Sequence, residues 1–379
     1  MECNTTELVI DAGSIYQHFG SIADVRKKRG IRYRLPVILL LVILAKLSGQ
    51  DAPFGIADWV KNRAVWLREV LALSYPCMPH HSTYRRILAA YGNELERVTE
   101  TFLAQLAEKK TYQLITLDGK TSRGTITAED GFGLHLLTAY LPEVGIALKH
   151  LPVEKEKENE IVVAPKLLES LDLENTIVLG DAMQTQRALS SQIVNAGGDF
   201  VWIVKDNQPT VRQDIEFLFT PDAASPMHFQ TTKTVDKHHG RLEERTITLS
   251  NMLNDYLAWP FVQQVFKIER CFTYANTNKE HRETQYGLTS LAAQEADPKR
   301  MLHLVRSAWG IENGLHYRRD VTFHEDKTRM TNKAVARAMA TINNLVIALL
   351  HHQGFTNHAQ ARRCFDANPS AALALLCRL

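Results

Sequence analysis

The chain of 379 residues is long enough for two or three domains, and 45% hydrophobic with 23% charged residues is the balance of a globular protein with a sizeable core. Forty-four basic against 42 acidic side chains leave a formal charge of only +2, so bulk charge does not draw the protein to polyanions and any such contact must come from local clusters. The five scattered cysteines (Cys3, Cys77, Cys271, Cys364, Cys377) have no CxxC or Cys/His spacing; they fit free thiols in a reducing cytoplasm and not a zinc site.

Residues 1–108 read as a helical N-terminal domain, with periodic apolar runs at 35–48, 54–73 and 82–106 broken by Gly49, Pro53 and the segment 75–79. The most apolar run, Leu35 to Ala45, is too short to span a bilayer and predicts a buried helix; no signal peptide is expected before it. Arg26, Lys27, Lys28, Arg29, Arg32 and Arg34 fall within nine positions, a density that suits phosphate binding as well as a solvated charged face.

At Thr111 the pattern changes. Strands are predicted at 111–118, 133–141 and 145–153, the last two joined as a hairpin through 142–145. A helix over about 158–170, a strand at 176–182, a helix at 184–196 and a strand at 199–205 follow. Three strands and then alternating helices and strands define an α/β domain in the order of the ribonuclease-H-like fold. From 210 to 297 the character is β, read as an insertion without helices. Helices at about 298–318, 332–351 and 357–377 close the chain, so the catalytic domain comprises 109–209 and 298–352, with 353–379 a helical tail.

Asp118 and Asp181 each end an apolar strand, Asp181 after a glycine that permits close backbone approach. In open α/β sheets that edge binds ligands, although a lone Asp there also serves as a helix cap. Trp309, Glu312, His316 and Arg319 recur at three- and four-residue steps, which stacks them on one stripe of a helix. Two aspartates and a helix-borne glutamate without nearby cations would hold a proton or a metal. Oxygen donors favour Mg²⁺ or Mn²⁺, and two such ions about 3.5–4 Å apart drive phosphodiester cleavage or transesterification.

Six segments in order, LDGKTSRGT (117–125), LGDAMQTQ (179–186), VWIVKDNQPTV (201–211), HHGRLEERT (238–246), YGLTSL (286–291) and WGIENGLHYRRDVTFHED (309–326), resemble the DDE transposases of the H-repeat-associated insertion sequences. The segment HFGSIADVRKKRGIRYRL with the later IADWV and HHSTYRRIL is similar to the helical region that precedes the catalytic domain there, so the resemblance runs from about His18 to about Leu350.

The resemblance implies Asp118, Asp181 and Glu312 as catalytic residues holding two Mg²⁺ or Mn²⁺ ions, with the β-rich insertion filling the long gap before Glu312. It implies double-stranded DNA as partner, both transposon ends and target, cleavage followed by joining of 3′ ends, a homodimer in the synaptic complex, and a cytoplasmic, nucleoid-associated protein with no membrane partner. Arg319 matches the place of a basic DNA contact; Ala308 departs from the histidine usual before Trp309. DNA contacts are also expected from Lys120, Thr121 and Arg123 after the first Asp, from Lys205, Asn207 and Gln208 at another strand tip, from His316, from Arg26, Lys27, Lys28 and Arg29, and from a clamp of His239, Arg241 and Arg245. Trp259 either packs or stacks on an unpaired base. Trp309 is expected to pack, and Glu325 and Asp326 to form a charged turn. A two-metal nuclease without strand transfer and a non-catalytic DNA-binding protein are the alternative functions.

Overall fold

The structure, a computed structural model, describes residues 13–107, 113–154, 159–220, 228–238, 241–274 and 280–378. The N-terminal region is helical: α1 (Ile15–Gly20), α2 (Leu35–Leu47), α3 (Pro53–Asn62), α4 (Ala64–Val70), α5 (His81–Ala90) and α6 (Gly92–Leu106). Two of the expected helices are thus each broken in two. Helix α2 is buried at every residue but Pro36, which opens it. Lys46 is tolerated inside because its ammonium pairs with Asp51 at 2.9 Å, and Asp51 in turn takes Arg362 at 2.6 Å.

One sheet of nine strands follows: β1 (Gln113–Ser122), β2 (Leu134–Leu141), β3 (Ile146–Pro152), β4 (Thr176–Gly180), β5 (Asp199–Val204), β6 (Gln230–His238), β7 (Arg241–Ser250), β8 (Gln264–Tyr274) and β9 (Glu280–Thr289). Their spatial order is β3-β2-β1-β4-β5-β9-β8-β7-β6. β1 runs antiparallel to β2 and parallel to β4, and β4 parallel to β5, which is the ribonuclease-H-like arrangement. The four strands after β5 add to its edge through an antiparallel β5–β9 pairing, so the inserted segment lengthens the same sheet.

The central strands are largely apolar where both faces are covered. Leu114, Ile177, Leu179 and Val201 belong to one core, while Ile115, Leu117, Val178, Phe200 and Trp202 belong to the other, with the two-residue alternation of a strand. The helices α7 (Glu160–Glu169) and α8 (Arg187–Asn195) pack on the second core. On the first lies α10 (Pro298–Ala308), whose Met301, Leu302, Leu304 and Val305 are buried, each worth about 1.5–3 kcal/mol. That burial fixes the helix which leads into Glu312.

A helix also stands where only β structure is expected. Pro209–Leu218 forms α9, started by Pro209 and buried through Val211, Ile215 and Leu218. The chain ends in α11 (Lys333–His352), α12 (His358–Ala367) and α13 (Pro369–Arg378). Among the described residues α11 alone is long and apolar enough to cross a membrane, but 83% of its apolar window is buried here, against α2, α5, α6, α12, β2 and β3.

Candidate metal centre and its surroundings

Asp118 is not the last residue of its strand. The parallel pairing of β1 with β4 ends at Leu117–Gly180, while β1 continues against β2 to Ser122. Asp118 therefore sits where β4 stops covering β1, at the carboxyl edge of the parallel core. The helix after α10 approaches this edge in an unusual form. Glu312–His316 and Arg318–Thr322 are π-helical, with the Tyr317 N–H donating to the Glu312 carbonyl and the Phe323 N–H to the Arg318 carbonyl. Such i→i+5 winding is rare and concentrates at functional sites.

The expected stripe is thereby dismantled. Trp309 and Glu312 remain exposed, while His316 and Arg319 turn inward and are buried. His316 Nδ1 lies 3.3 Å from Asp118 Oδ2 and 3.9 Å from Glu312 Oε2. Ligand atoms of Asp118, Glu312 and His316 lie within 4.8 Å of one another. Burial pushes the Asp118 carboxyl up to about 7, helped by the charges of Glu312, Glu160 and Asp181 and opposed by a hydrogen bond from the Gly119 N–H. Burial, with the charges of Arg319 and Lys120, lowers His316 to about 3, so the ring is neutral at neutral pH. A carboxyl strained by neighbouring carboxylates and a neutral imidazole at its side form a donor set that fits a divalent cation.

Asp181 lies outside that group of three. It caps the short 3-10 turn Ala182–Gln184, accepting from the Met183 N–H at 2.9 Å, with its side chain exposed. The turn folds tightly over β5: a Cβ on Gly180 would fall 2.7 Å from Trp202 and 2.8 Å from Gln184. Asn207 donates its amide to the Ala182 carbonyl and Gln208 to the Thr185 carbonyl, and the Thr185 hydroxyl donates to the Ile203 carbonyl. Asn207 and Gln208, expected on DNA, are here the braces of the turn that carries Asp181, while Lys205 is exposed.

Three expectations for cations need correction. Lys120 is only 8% exposed and donates to Asp320 Oδ2 at 2.6 Å, so it ties β1 to the second π turn and does not face solvent. Arg319 is 0% exposed. It makes a bidentate pair with Glu325 at 2.7 and 2.6 Å, and the Ser122 hydroxyl and Asn343 amide also donate to Glu325. A guanidinium closed on all sides cannot meet a phosphate; its work is to lock the π segment to the end of β1. The charged turn expected at Glu325 is accordingly a buried anchor, and Asp326 Oδ1 accepts the Arg123 N–H at 2.8 Å. Thirdly, Arg245 is paired with Asp236 and Glu243, both at 2.8 Å. His239 and the side chain of Arg241 lie outside the described residues. Thr121 is taken up by His135 at 2.7 Å, and Arg123 is exposed.

In the N-terminal region Lys27, Lys28 and Arg29 are exposed, and Arg26 is held by Asp24 and the Tyr33 carbonyl. A cavity of about 630 Å³ opens beside them, lined by Arg26, Arg29, Arg32, Tyr75, His80 and Arg86. Trp259 is core, its indole N–H donating to Ser190. Trp309 is the reverse of its expected packing role: 48% exposed, under the Arg270 guanidinium at 5.3 Å, in a cavity of about 440 Å³.

Sequence reasoning missed Glu160. It accepts from His135 Nε2 at 2.9 Å and from the Gln184 amide at 3.0 Å, bridging β2 to the turn of Asp181, and a Cβ on Gly119 would overlap it. An acid in the first turn after the Asn159 cap reads only as a partner of the helix dipole, so the sequence carries no signal for this role.

The family model described as the Transposase DDE domain matches residues 109–349, and the one described as DDE_Tnp_1-associated matches residues 16–103. The chain belongs to the DDE transposase family. It is 26% identical over 342 residues to YncI of Escherichia coli O157:H7, a protein named as a transposase, covering 89% of this chain and 87% of that one. To the H repeat-associated protein YhhI of Escherichia coli K12 it is 25% identical over 346 residues, covering 89% and 90%. A solved piggyBac transposase synaptic complex with hairpin DNA superposes at a TM-score of 0.46 with 9% identity, over 98% of this chain and 80% of that chain.

Proposed function

We propose that this protein cleaves DNA at the ends of its own insertion sequence and joins the 3′ ends to target DNA, with Asp118, Asp181 and Glu312 as its acidic triad. The observation that carries the reading is the meeting of Asp118, from the first strand, with Glu312, from a π turn far along the chain, on one edge of a ribonuclease-H-like sheet. Mg²⁺ or Mn²⁺, two ions when bound, supplies Lewis-acid stabilisation of the attacking and leaving oxygens in an in-line phosphoryl displacement. Asp118 and Glu312 would hold them, with Asp181 presented from the neighbouring turn.

The surrounding residues keep these acids in place. The Lys120–Asp320 and Arg319–Glu325 pairs clamp β1 to the π turns, and Asn207, Gln208 and Glu160 brace the turn that carries Asp181. Arg123, just after β1, and Lys205, just after β5, are exposed and suit phosphate contacts that position DNA without reading it. Lys27, Lys28 and Arg29 offer a second basic surface for the transposon end. The working state is a homodimer that holds two ends together.

The test is an assay on the terminal DNA that flanks this gene, with Mg²⁺ or Mn²⁺ and with Glu312→Gln and Asp118→Asn as controls. Metal-dependent cleavage and joining, both lost in the variants, is the expected result. Cleavage without joining would make the protein a nuclease, and DNA binding without cleavage a non-catalytic binder.

A further inference from the structure

We propose that His316 is a direct ligand of the divalent cation, so that the centre takes its metal through an imidazole nitrogen as well as carboxylates. The inference rests on the transposase reading above and concerns which atoms hold the ion. Of the residues near Asp118, the two that bring donor atoms within 4.8 Å of it and of each other are Glu312 and His316, and Asp181 is not among them. Nδ1 faces both carboxylates, at 3.3 and 3.9 Å. The ring is 6% exposed, so water does not compete for that nitrogen as it would on a surface.

The backbone explains why the imidazole points there. In the π turn Glu312–His316, Leu315 is 0% exposed, and three residues on the Arg319–Glu325 pair holds the next turn against β1. The ring is therefore fixed by its neighbours before any ion arrives, which is the condition for a tight and selective site. Nε2 makes no hydrogen bond among the described residues, so no protein acceptor fixes the ring with Nδ1 turned away from the carboxylates. On its other side, Nδ1 faces the two carboxylates of Asp118 and Glu312.

A nitrogen donor shifts the metal preference. Carboxylate-only centres suit Mg²⁺, whereas imidazole moves a site along the first transition row. The full-length protein is thus expected to bind Mn²⁺ at least about tenfold more tightly than Mg²⁺, and the ratio is expected to fall in His316→Gln.

The experiment is pulsed electron paramagnetic resonance on the full chain with one equivalent of Mn²⁺. Nitrogen modulation from a directly bound ring is expected. Growth on ¹⁵N-histidine should change its frequency, His316→Gln should abolish it, and His135→Gln should leave it intact. Bound Mn²⁺ without nitrogen modulation, or modulation that survives His316→Gln, overturns the proposal. The isotope experiment uses the unmodified fold, so a poorly folding variant does not protect the idea. Titration of Asp118→Asn and Glu312→Gln separates the two readings. If both variants bind Mn²⁺ as well as the parent, the metal centre itself is misplaced; if they lose it while the parent shows no nitrogen modulation, only the role of His316 fails.

Discussion

Glu325 is closed to solvent together with Arg319, and its carboxylate takes four hydrogen bonds from Arg319, Ser122 and Asn343. Burial alone would raise its carboxyl, but the Arg319 charge and these donors hold it down to about 2 against an ordinary 4.5. The folded value is the lower one, so the stabilisation is complete above pH 4.5 and is lost as pH falls through 2. Glu325→Gln leaves Arg319 buried and uncompensated; urea unfolding at pH 7 should show a loss of about 3–5 kcal/mol, and its stability should vary less steeply with pH across the acid window. Asp118 has the opposite sign. Its carboxyl lies at about 7 against 3.8, so in metal-free protein stability is present below pH 3.8 and is lost as pH rises through 7. Asp118→Asn should therefore stabilise the chelated protein at pH 8 by about 1–4 kcal/mol while abolishing the benefit of added Mn²⁺. Chemical denaturation with and without chelator measures both.

Two elements set the edge that carries the candidate triad, the π segment and the turn at Asp181, and both are braced by polar side chains. Replacing Asn207 and Gln208 together by Ala removes two donors to that turn; the expected result is a fall in cleavage rate of about 10²-fold, as for a small misplacement of a catalytic group, with thermal unfolding nearly unchanged. The basic segment 26–34 is an element of another kind. Removing Lys27, Lys28 and Arg29 should lower the salt dependence of DNA binding by about one unit of slope for each side chain that meets a phosphate, whereas Arg319→Met should leave that slope alone because Arg319 never reaches solvent. These elements also mark how far the sequence could be read. β1, β4 and β5 were legible because strands covered on both faces read as near-continuous apolar runs, and Asp118 and Asp181 were legible as the acids at the ends of those runs. The π turns were not: a three- and four-residue repeat is what an α-helix also shows, and the i→i+5 winding comes from clamps on β1 and α11 supplied by distant residues. Arg319 looked like a DNA contact for the same reason, since the acid that neutralises it follows an apparent loop. Helix α9 escaped because a ten-residue amphipathic stretch beside a strand tip carries no more pattern than the strands after it.

At the scale of the whole molecule, the helical region and the sheet meet around α11. Arg337 on that helix donates to Glu96 of α6 at 2.9 Å, and His150 of β3 lies 3.6 Å from the same carboxylate, so one buried acid joins three elements distant in the chain. Around it Leu345, Val346, Leu349 and Leu350 are 0% exposed, sharing one core with α2, α6 and β2. A contact of this kind resembles a domain interior more than a hinge between independent modules. Removing the N-terminal region would uncover α11 and leave Arg337 and His150 without Glu96. Two expectations follow. Unfolding of the full chain, followed by fluorescence from Trp59 in α3 and Trp202 in β5 in single-Trp variants, should give coincident transitions. A fragment beginning at residue 109 should be aggregated or molten even though it contains every candidate catalytic residue. Separate transitions, or a monomeric, cooperatively folded fragment, would mean that the helical region and the sheet are independent modules; coincidence means that they unfold as one unit.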